Sequence, residues 1–187
     1  MSEPIEEPSG GPAGNPTVMG LPEWTVLAVV SEQPTHGFAV AALTRPDGEL
    51  GRVWQIPRPV IYRAIGRLAD AGLIEPQGTE PGQGPQRTIY AATARGRAAI
   101  GGWLATPVQH VRDIRSHLLL KLALLYRQGA DPGPLIARQR AILAPIAAAI
   151  GAEDPAGGFD TVLLAWRRAS AAAAIAFLDD IAGAPAS

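Results

Sequence analysis

The stretch IPRPVIYRAIGRLADAGLIEP, at residues 56–76, decides the fold. Ile61, Ile65 and Leu68 recur at the i, i+4 and i+7 spacing of one helix face, which predicts a helix over about residues 57–71. Because this apolar stripe is narrow, the other faces of the helix are predicted to present cations and an aromatic ring to solvent. These exposed side chains are Arg58, Tyr62, Arg63 and Arg67.

Two shorter helices are predicted before this one. Apolar residues at helical spacing indicate the first helix at 21–30. Thr35 is placed to cap a second helix at about residues 36–43, which ends before the turn Pro46-Asp47-Gly48. The residues expected to lie near one another on this second helix are Phe38, Ala41 and Ala42.

A β-hairpin and a fourth helix are predicted next. Residues 73–75 and 87–91 are short strand-like runs, and the Gly- and Pro-rich stretch between them predicts an extended hairpin tip. Thr93 can cap a helix that ends near Leu104. Three helices followed by a hairpin are typical of a winged helix-turn-helix, whose third helix enters the DNA major groove while the hairpin, or wing, reaches the phosphate backbone. We therefore predict this DNA-binding domain over residues 21–105.

The distribution of charge favours a nucleic-acid partner, although the whole chain has a formal net charge of only −1. Residues 1–51 carry one basic and seven acidic side chains, whereas residues 52–97 carry seven basic and three acidic ones. Residues 98–187 are nearly balanced, with eight basic and seven acidic side chains. The basic excess coincides with the predicted third helix and wing, which is where a DNA-binding domain needs it.

The remaining chain, residues 106–187, is predicted to be all helical. Helices are expected at 110–127, from Asp131 onward and at 160–181, with Pro145 kinking or splitting the middle one. Three amphipathic helices without a sheet to cover bury more apolar surface by pairing with a second copy, so we predict a dimerisation region. The predicted fold class is therefore mainly α (α+β), with a winged helix-turn-helix followed by an all-helical dimerisation region.

The N-terminal segment, residues 1–20, is predicted to be a disordered acidic tail rich in Pro and Gly. It has no apolar core of a signal peptide, and the longest apolar run, near residues 169–178, is about half the roughly 20 residues that a membrane-spanning helix needs. The chain contains no cysteine, which excludes disulfides, thiolate metal sites and cysteine nucleophiles. We expect a cytoplasmic protein without a membrane partner.

Several motifs resemble the PadR family of transcriptional regulators, in its longer form with a C-terminal extension. LAVV at 27–30 and THGF at 35–38 are similar to the family's apolar first helix and the His-Gly-aromatic turn that opens its second helix. IYRAIGRLADAGLIEP at 61–76 resembles its recognition helix and first wing strand. RTIYAATARGR at 87–97 resembles its second wing strand and fourth helix, and HLLLKLALLYRQGADPGPLIARQR at 117–140 resembles its C-terminal helices.

The resemblance implies a homodimeric regulator of transcription, more specifically a repressor, that binds double-stranded DNA in a sequence-specific manner. Two-fold symmetry then predicts an inverted-repeat operator. One departure from the family lies at the start of the third helix, where small or hydroxylated residues are common. Pro59 has no N–H to offer a phosphate, so Arg58 is expected to replace that contact. The residues predicted to contact DNA are Arg58, Pro59, Tyr62, Arg63, Arg67, Gln86 and Arg87.

Other polar residues allow two interpretations. Gln83, like Gln86, lies at the wing tip, where a DNA contact or simple mobility is compatible with the sequence. Arg95 and Arg97 either contact phosphates or cap the fold, and His36 is expected to cap or pack a helix start rather than to act in catalysis. A metal site is not expected, because a polar stripe explains better than zinc the face shared by His110, Asp113 and His117.

Lys121 and two tryptophans in the helical part of the chain are also notable. Lys121, the only lysine, lies in an apolar stretch, which allows an amine with a perturbed pKa. The simpler expectation is that it buries its aliphatic stem and extends its charge to solvent. Core packing is the simpler explanation of Trp103 and Trp166, but the resemblance permits a pocket in which they hold a small apolar or aromatic effector between subunits. No cofactor is expected.

Two functions from different classes remain at this point. The first is a DNA-binding regulator whose operator affinity is relieved by an effector, and the second is a winged-helix module that binds another protein and never DNA. An enzyme is not expected, because the sequence has no Gly-x-Ser-x-Gly elbow, no phosphate-binding loop and no zinc-type histidine spacing.

Overall fold

The computed structural model describes residues 19–82 and 84–182 of the 187-residue chain. Within these residues the chain forms seven α-helices and one three-stranded antiparallel sheet. The helices are α1 (Leu21–Glu32), α2 (Gly37–Leu43), α3 (Arg58–Asp70), α4 (Ala94–Ala105), α5 (Leu119–Arg127), α6 (Gly133–Ala152) and α7 (Phe159–Ala182), and the strands are β1 (Thr35–His36), β2 (Ile74–Gly82) and β3 (Gly84–Ala92). The predicted mixed α+β class with a winged helix is confirmed.

The N-terminal core is built around α1. Residues 26–30 of this helix are all buried, because the helix is apolar on every side and other helices cover it. Helix α3 packs on α1 through the predicted Ile61, Ile65 and Leu68, together with Ala64. The N-terminal prediction extends too far: Met19 packs against this core and Gly20 caps α1. Residues 1–18 of the predicted tail lie outside the described residues.

The start of α2 differs from the prediction. Thr35 does not cap the helix; it pairs with Tyr90 in the sheet, and His36 pairs with Ile89. The cap is His36, whose Nδ1 accepts a hydrogen bond from the Ala39 N–H at 3.0 Å, in agreement with the structural role expected for this histidine. The expected apolar face was also misplaced, because Phe38 and Ala42 are exposed. The buried residues of this short helix are Gly37, Val40 and Ala41.

The wing is much longer than predicted. Strands β2 and β3 pair from Ile74 and Ala92 at the base to Gly82 and Gly84, with two irregularities in the register of β2. Pro76 and other Pro and Gly residues in this stretch disfavour a strand when the segment is considered alone. Pairing with β3 and the local bulges accommodate them, which the sequence pattern did not reveal.

The predicted helix ends around the wing are confirmed. Gly72 follows α3 with a φ of 66°, a left-handed conformation that glycine adopts without strain. Thr93 caps α4, since its hydroxyl oxygen accepts from the Gly96 N–H at 3.0 Å. Gly72 sets the direction in which the chain leaves α3 for the wing, and Thr93 sets the direction in which the chain leaves the wing for α4.

The C-terminal helices differ from the prediction in two places. The segment predicted as one helix over residues 110–127 begins with a 3₁₀ turn (Val111–Asp113) and a π-helical turn (Ile114–Leu118), and only then becomes α5. Apolar spacing alone does not distinguish a π turn from an α-helical one. Pro145 does not split α6, which runs through it without interruption.

Helix α5 contributes to two hydrophobic cores. Its residues Leu120 and Leu124 pack into the N-terminal core, whereas Leu122 packs with residues of α6 and α7. A second connection is Gln139 of α6, which is fully buried. Its Oε1 accepts from the Val108 N–H at 2.7 Å and its Nε2 donates to the Val108 carbonyl at 2.8 Å, fixing α6 to the chain that leaves α4.

Helices α6 and α7 pack against each other, and an ion pair joins Arg140 to Asp179 across them. Both helices are long and apolar enough to cross a bilayer by length and composition alone, each with a mean hydropathy of 1.3. The sequence prediction had considered only the shorter run at residues 169–178. Helices that bind another protein surface through an apolar face can have the same length and apolar composition.

Candidate nucleic-acid interface

The outer surface of α3 carries the predicted cations. Arg58, Tyr62 and Arg63 are exposed, as expected from the narrow apolar stripe of this helix. The backbone at its start offers little to an anion, because the Pro57 carbonyl accepts from the N–H groups of Val60 and Ile61 at 2.9 and 3.3 Å. Pro59 has no N–H. The guanidinium of Arg58 is therefore the donor that this helix end presents.

Four side chains from three elements form one surface cluster, which we call the arginine–phenylalanine cluster. Phe38 of α2 lies at its centre and is 42% exposed. The guanidinium carbon of Arg87, from the wing strand β3, lies 4.6 Å from the centroid of the Phe38 ring. That of Arg58 lies 5.3 Å from the Phe38 ring and 5.6 Å from the Tyr62 ring. The members are Phe38, Arg58, Tyr62 and Arg87.

Two local features hold the cluster together. The pairing of β1 with β3 places the start of α2 beside the wing. Gly37 allows α2 to approach α3 closely, because a Cβ atom there would lie 2.8 Å from Ile65 Cδ1 and 3.0 Å from Tyr62 Cε1. A further contact, outside the cluster, joins wing strand β2 to β1, since Glu80 Oε2 lies 3.5 Å from His36 Nε2.

Three other arginines of the basic segment are bound to the protein itself. Arg67 donates from Nη1 to Glu23 Oε1 at 3.0 Å, which joins α3 to α1. Arg95 donates to the Ala71 carbonyl and Arg97 to the Ala92 carbonyl. These contacts favour the fold-capping interpretation of Arg95 and Arg97.

Of the two glutamines predicted to lie at the wing tip, Gln86 is among the described residues. Gln86 is exposed on β3, next to Arg87. Gln83, the other predicted tip residue, lies outside the described residues. Arg87 itself stands opposite Glu80 in the register of the wing.

Trp103 is part of a buried junction between three helices. Its ring stacks on Trp24 of α1, with centroids 5.1 Å apart and planes 10° from parallel. The Nζ of Lys121 lies 4.7 Å from the Trp103 ring and donates to the Thr106 carbonyl. The expectation of an outward charge was wrong, because Lys121 is only 3% exposed. Burial lowers the pKa of its amine to about 8.

Trp166 lies in a different place, on the open side of α7. It is 71% exposed and shares one helix face with three other exposed apolar side chains at i, i+3, i+4 and i+7 spacing. We call this set, Phe159, Val162, Leu163 and Trp166, the α7 apolar stripe. Beside it a groove of about 870 Å³, the α7 groove, is lined by Trp166 but not by Trp103. Among the described residues, Trp103 therefore does not share this groove with Trp166.

The geometry of the winged helix agrees with comparisons to known proteins. Residues 26–101 match the transcriptional regulator PadR-like family. This part of the chain is therefore similar to a family of transcriptional regulators. The match spans α1 to α4, including the wing and the arginine–phenylalanine cluster.

The individual proteins that the chain resembles are distant in sequence. It is 27% identical over 101 residues to the probable transcriptional regulator Rv1176c of Mycobacterium tuberculosis, a match that covers 54% of the chain and 52%, about half, of that relative. Bacillus subtilis PadR in complex with operator DNA is 16% identical, with a TM-score of 0.45 over 87% of this chain and 98% of that one. The complex of B. subtilis PadR with p-coumaric acid is 15% identical, with a TM-score of 0.41 over 86% and 95% of the two chains.

The family that residues 26–101 match is one of transcriptional regulators. The face predicted to carry His110, Asp113 and His117 is interrupted by the 3₁₀ and π turns. Among residues 19–82 and 84–182, no group of three or more His, Asp or Glu side chains is placed to hold a metal ion.

Two surface features of the chain were missed in the sequence. Phe38 was grouped with Ala41 and Ala42 without being recognised as exposed, although Gly37, Val40 and Ala41 have the i, i+3, i+4 spacing that α2 buries. The α7 apolar stripe was not recognised as a stripe, although its spacing is readable. In both cases the missing information was which face of the helix the rest of the chain would cover.

Proposed function

We propose that this protein is a sequence-specific regulator that binds double-stranded DNA as a homodimer at an inverted-repeat operator. One observation carries the proposal: the arginine–phenylalanine cluster brings cations of α3 and of the wing to one exposed surface. A regulator of this fold needs cations in both places, because its third helix enters the major groove while the wing lies along the phosphates.

Each part of this surface has a distinct role in the proposal. Arg58 and Arg63, on the exposed side of α3, contact base edges or phosphates, and Tyr62 lies between them in sequence. Arg87 neutralises a phosphate from the wing, and Gln86 beside it hydrogen-bonds the backbone. Arg67 is assigned a smaller share, because Glu23 already accepts one of its N–H groups.

The homodimer is proposed to form through the α7 apolar stripe and the α7 groove. A monomeric protein rarely exposes four large apolar side chains on one helix face, because their contact with water is unfavourable. In a two-fold dimer, the same face of a second copy covers them. Charge supports the same arrangement. Arg112 and Arg115 line the groove, whereas Glu153, Asp154 and Asp160 mark the α6–α7 turn, so one copy's cations can meet the other's carboxylates.

Two-fold pairing sets two copies of α3 in successive major grooves about 34 Å apart, which is why the operator is proposed to be an inverted repeat. We propose repression, in the cytoplasm, as the regulatory outcome. We also propose that a small apolar or aromatic effector relieves it by binding in the α7 groove, where Trp166 and Phe177 offer aromatic surface. Such a molecule acts only if it binds one spacing of the two α3 helices better than another.

The test is selection of bound sequences from random duplex DNA, followed by titration of the enriched duplex at two salt concentrations. We expect an inverted repeat, and an affinity that falls steeply as salt rises because phosphate contacts release counterions. Enrichment of no sequence, with weak and uniform binding, contradicts the proposal and favours a winged-helix module that binds another protein.

A further inference from the structure

We propose that Phe38 is a positioning residue that holds Arg58 and Arg87 as one unit, so that the wing and the third helix present their cations to DNA at a fixed separation. The inference rests on the proposed DNA-binding function and assigns a role to a side chain that carries no charge and needs no contact with DNA. It also explains why α2 exposes a phenylalanine at all.

The two arginines of the cluster both lie close to the Phe38 ring. Both guanidinium groups lie within the roughly 6 Å range over which an aromatic face attracts a cation. They come from elements that are separate in the chain, α3 and β3, and repel each other as like charges. Phe38 lies within this range of both arginines. Of the two arginines, Arg58 is the one that lies within this range of the Tyr62 ring.

The ring is itself held in place. His36, two residues before it, both caps α2 and pairs with β3, so the backbone on the N-terminal side of Phe38 is fixed to the wing. Gly37, in between, is pressed against Tyr62 and Ile65 of α3. The backbone that carries the ring therefore cannot move away from the arginines unless α2 leaves its neighbours. This rigidity is what a positioning residue needs, because pre-ordered donors lose less entropy when they bind.

The first experiment tests the contact in the DNA-free protein. The side-chain resonances of Arg58 and Arg87 are assigned by NMR in the wild type, in Phe38→Leu and in Phe38→Tyr. We expect ring-current shifts for both arginines in the wild type and in Phe38→Tyr. In Phe38→Leu, the resonances of Arg87 should move close to those of a mobile arginine, whereas Arg58 should keep the part of its shift that comes from Tyr62. Unchanged Arg87 resonances in Phe38→Leu overturn the proposal.

The second experiment is a double-mutant cycle on the selected duplex with Phe38→Leu and Arg87→Ala. Two exposed cation–aromatic contacts predict that Phe38→Leu weakens binding by about five- to thirtyfold in the wild-type background. In the Arg87→Ala background only the contact with Arg58 remains, so the same change is expected to cost about two- to fivefold. Phe38→Tyr is expected to retain wild-type affinity. Equal losses in the two backgrounds overturn the proposal, because they indicate that the ring acts on DNA independently of Arg87.

Tyr126→Leu is the matched control, since Tyr126 is an exposed aromatic side chain on α5, outside the cluster. We expect it to leave both the arginine resonances and the affinity unchanged. If the wild-type protein enriches no duplex, the DNA-binding function fails, while the NMR comparison still decides whether Phe38 holds the two arginines.

Discussion

The arginine–phenylalanine cluster and the α7 apolar stripe are both open to solvent, but they differ in chemistry. The first presents guanidinium groups above aromatic rings, whereas the second presents four large apolar side chains. A cationic surface attracts a polyanion and releases ions when it binds, so salt weakens that association. An apolar surface gains by excluding water and responds little to salt. The two partners proposed above, DNA and a second copy of the chain, should therefore differ in how salt affects their binding.

The largest effect is expected when the cationic surface is removed. The double substitution Arg58→Ala and Arg63→Ala should weaken binding to the selected duplex by at least about a hundredfold, because each charge-assisted contact contributes about 1.5–3 kcal/mol. The slope of log affinity against log salt should fall by about two. Fluorescence anisotropy at several salt concentrations measures both quantities.

Arg140→Ala is the control for this loss of charge, since Arg140 lies on α6 and pairs with Asp179. It should change duplex affinity by no more than about twofold, as expected for an exposed pair far from the phosphates. A comparable loss in Arg140→Ala contradicts the division of roles between the two surfaces, because the whole chain's charge would then determine binding.

The next effect should come from a charge placed in the apolar stripe. Trp166→Asp is expected to raise the dimer dissociation constant by about a hundredfold, since tryptophans at the centre of interfaces often contribute 2 kcal/mol or more. Sedimentation equilibrium measures the change. Ala165→Asp adds the same charge to an exposed position one residue away and should leave the dimer intact. Equal behaviour of the two variants places the interface elsewhere.

A smaller effect is expected at the close approach of α2 to α3. Gly37→Ala should lower the free energy of unfolding by about 1–3 kcal/mol, because the new methyl group would overlap Ile65 and Tyr62. Gly66→Ala, on the same helix as Tyr62 but with open space at its Cβ, should instead raise it by about 0.5–1 kcal/mol. Urea denaturation followed by tryptophan fluorescence distinguishes the two. Stabilisation by Gly37→Ala would show that the helices separate more easily than this contact indicates.

The smallest effect concerns Lys121 of α5, which lies in the chain between the arginine–phenylalanine cluster and the α7 apolar stripe. Its pKa is about 8 in the folded protein and 10.5 without burial, so the unfolded chain binds more protons in that interval. Stability should therefore rise with pH, by about 1 kcal/mol between pH 7 and pH 9 from this group alone. Lys121→Met should lack this component, and the difference between the two pH profiles measures it. Parallel profiles contradict the lowered pKa.

Helix α3 was predictable because its signals are local. The spacing of Ile61, Ile65 and Leu68 determined which face is buried. The wing was not predictable at its true length, because its Pro and Gly residues argue against a strand until the partner strand is known.

The position of Lys121 was missed for a related reason. Its place in an apolar run left two possibilities, an outward charge or a buried amine. The choice depended on Trp103 and on the carbonyl of Thr106, which are brought to it only when α4 and α5 pack together. Tertiary contacts of this kind leave no periodic trace in the sequence. The same holds for the α7 apolar stripe, whose exposure depends on what α6 leaves uncovered.

The sharing of α5 between two cores has a practical consequence for dividing the molecule. A fragment that stops after α4 lacks Leu120 and Leu124, and it exposes the apolar surface of the N-terminal core that they cover. It also lacks Arg127, which bonds Glu32 of α1 at 2.8 Å. An isolated winged-helix fragment should therefore extend through Arg127. In the intact chain, removing α5 uncovers apolar surface on both cores at once.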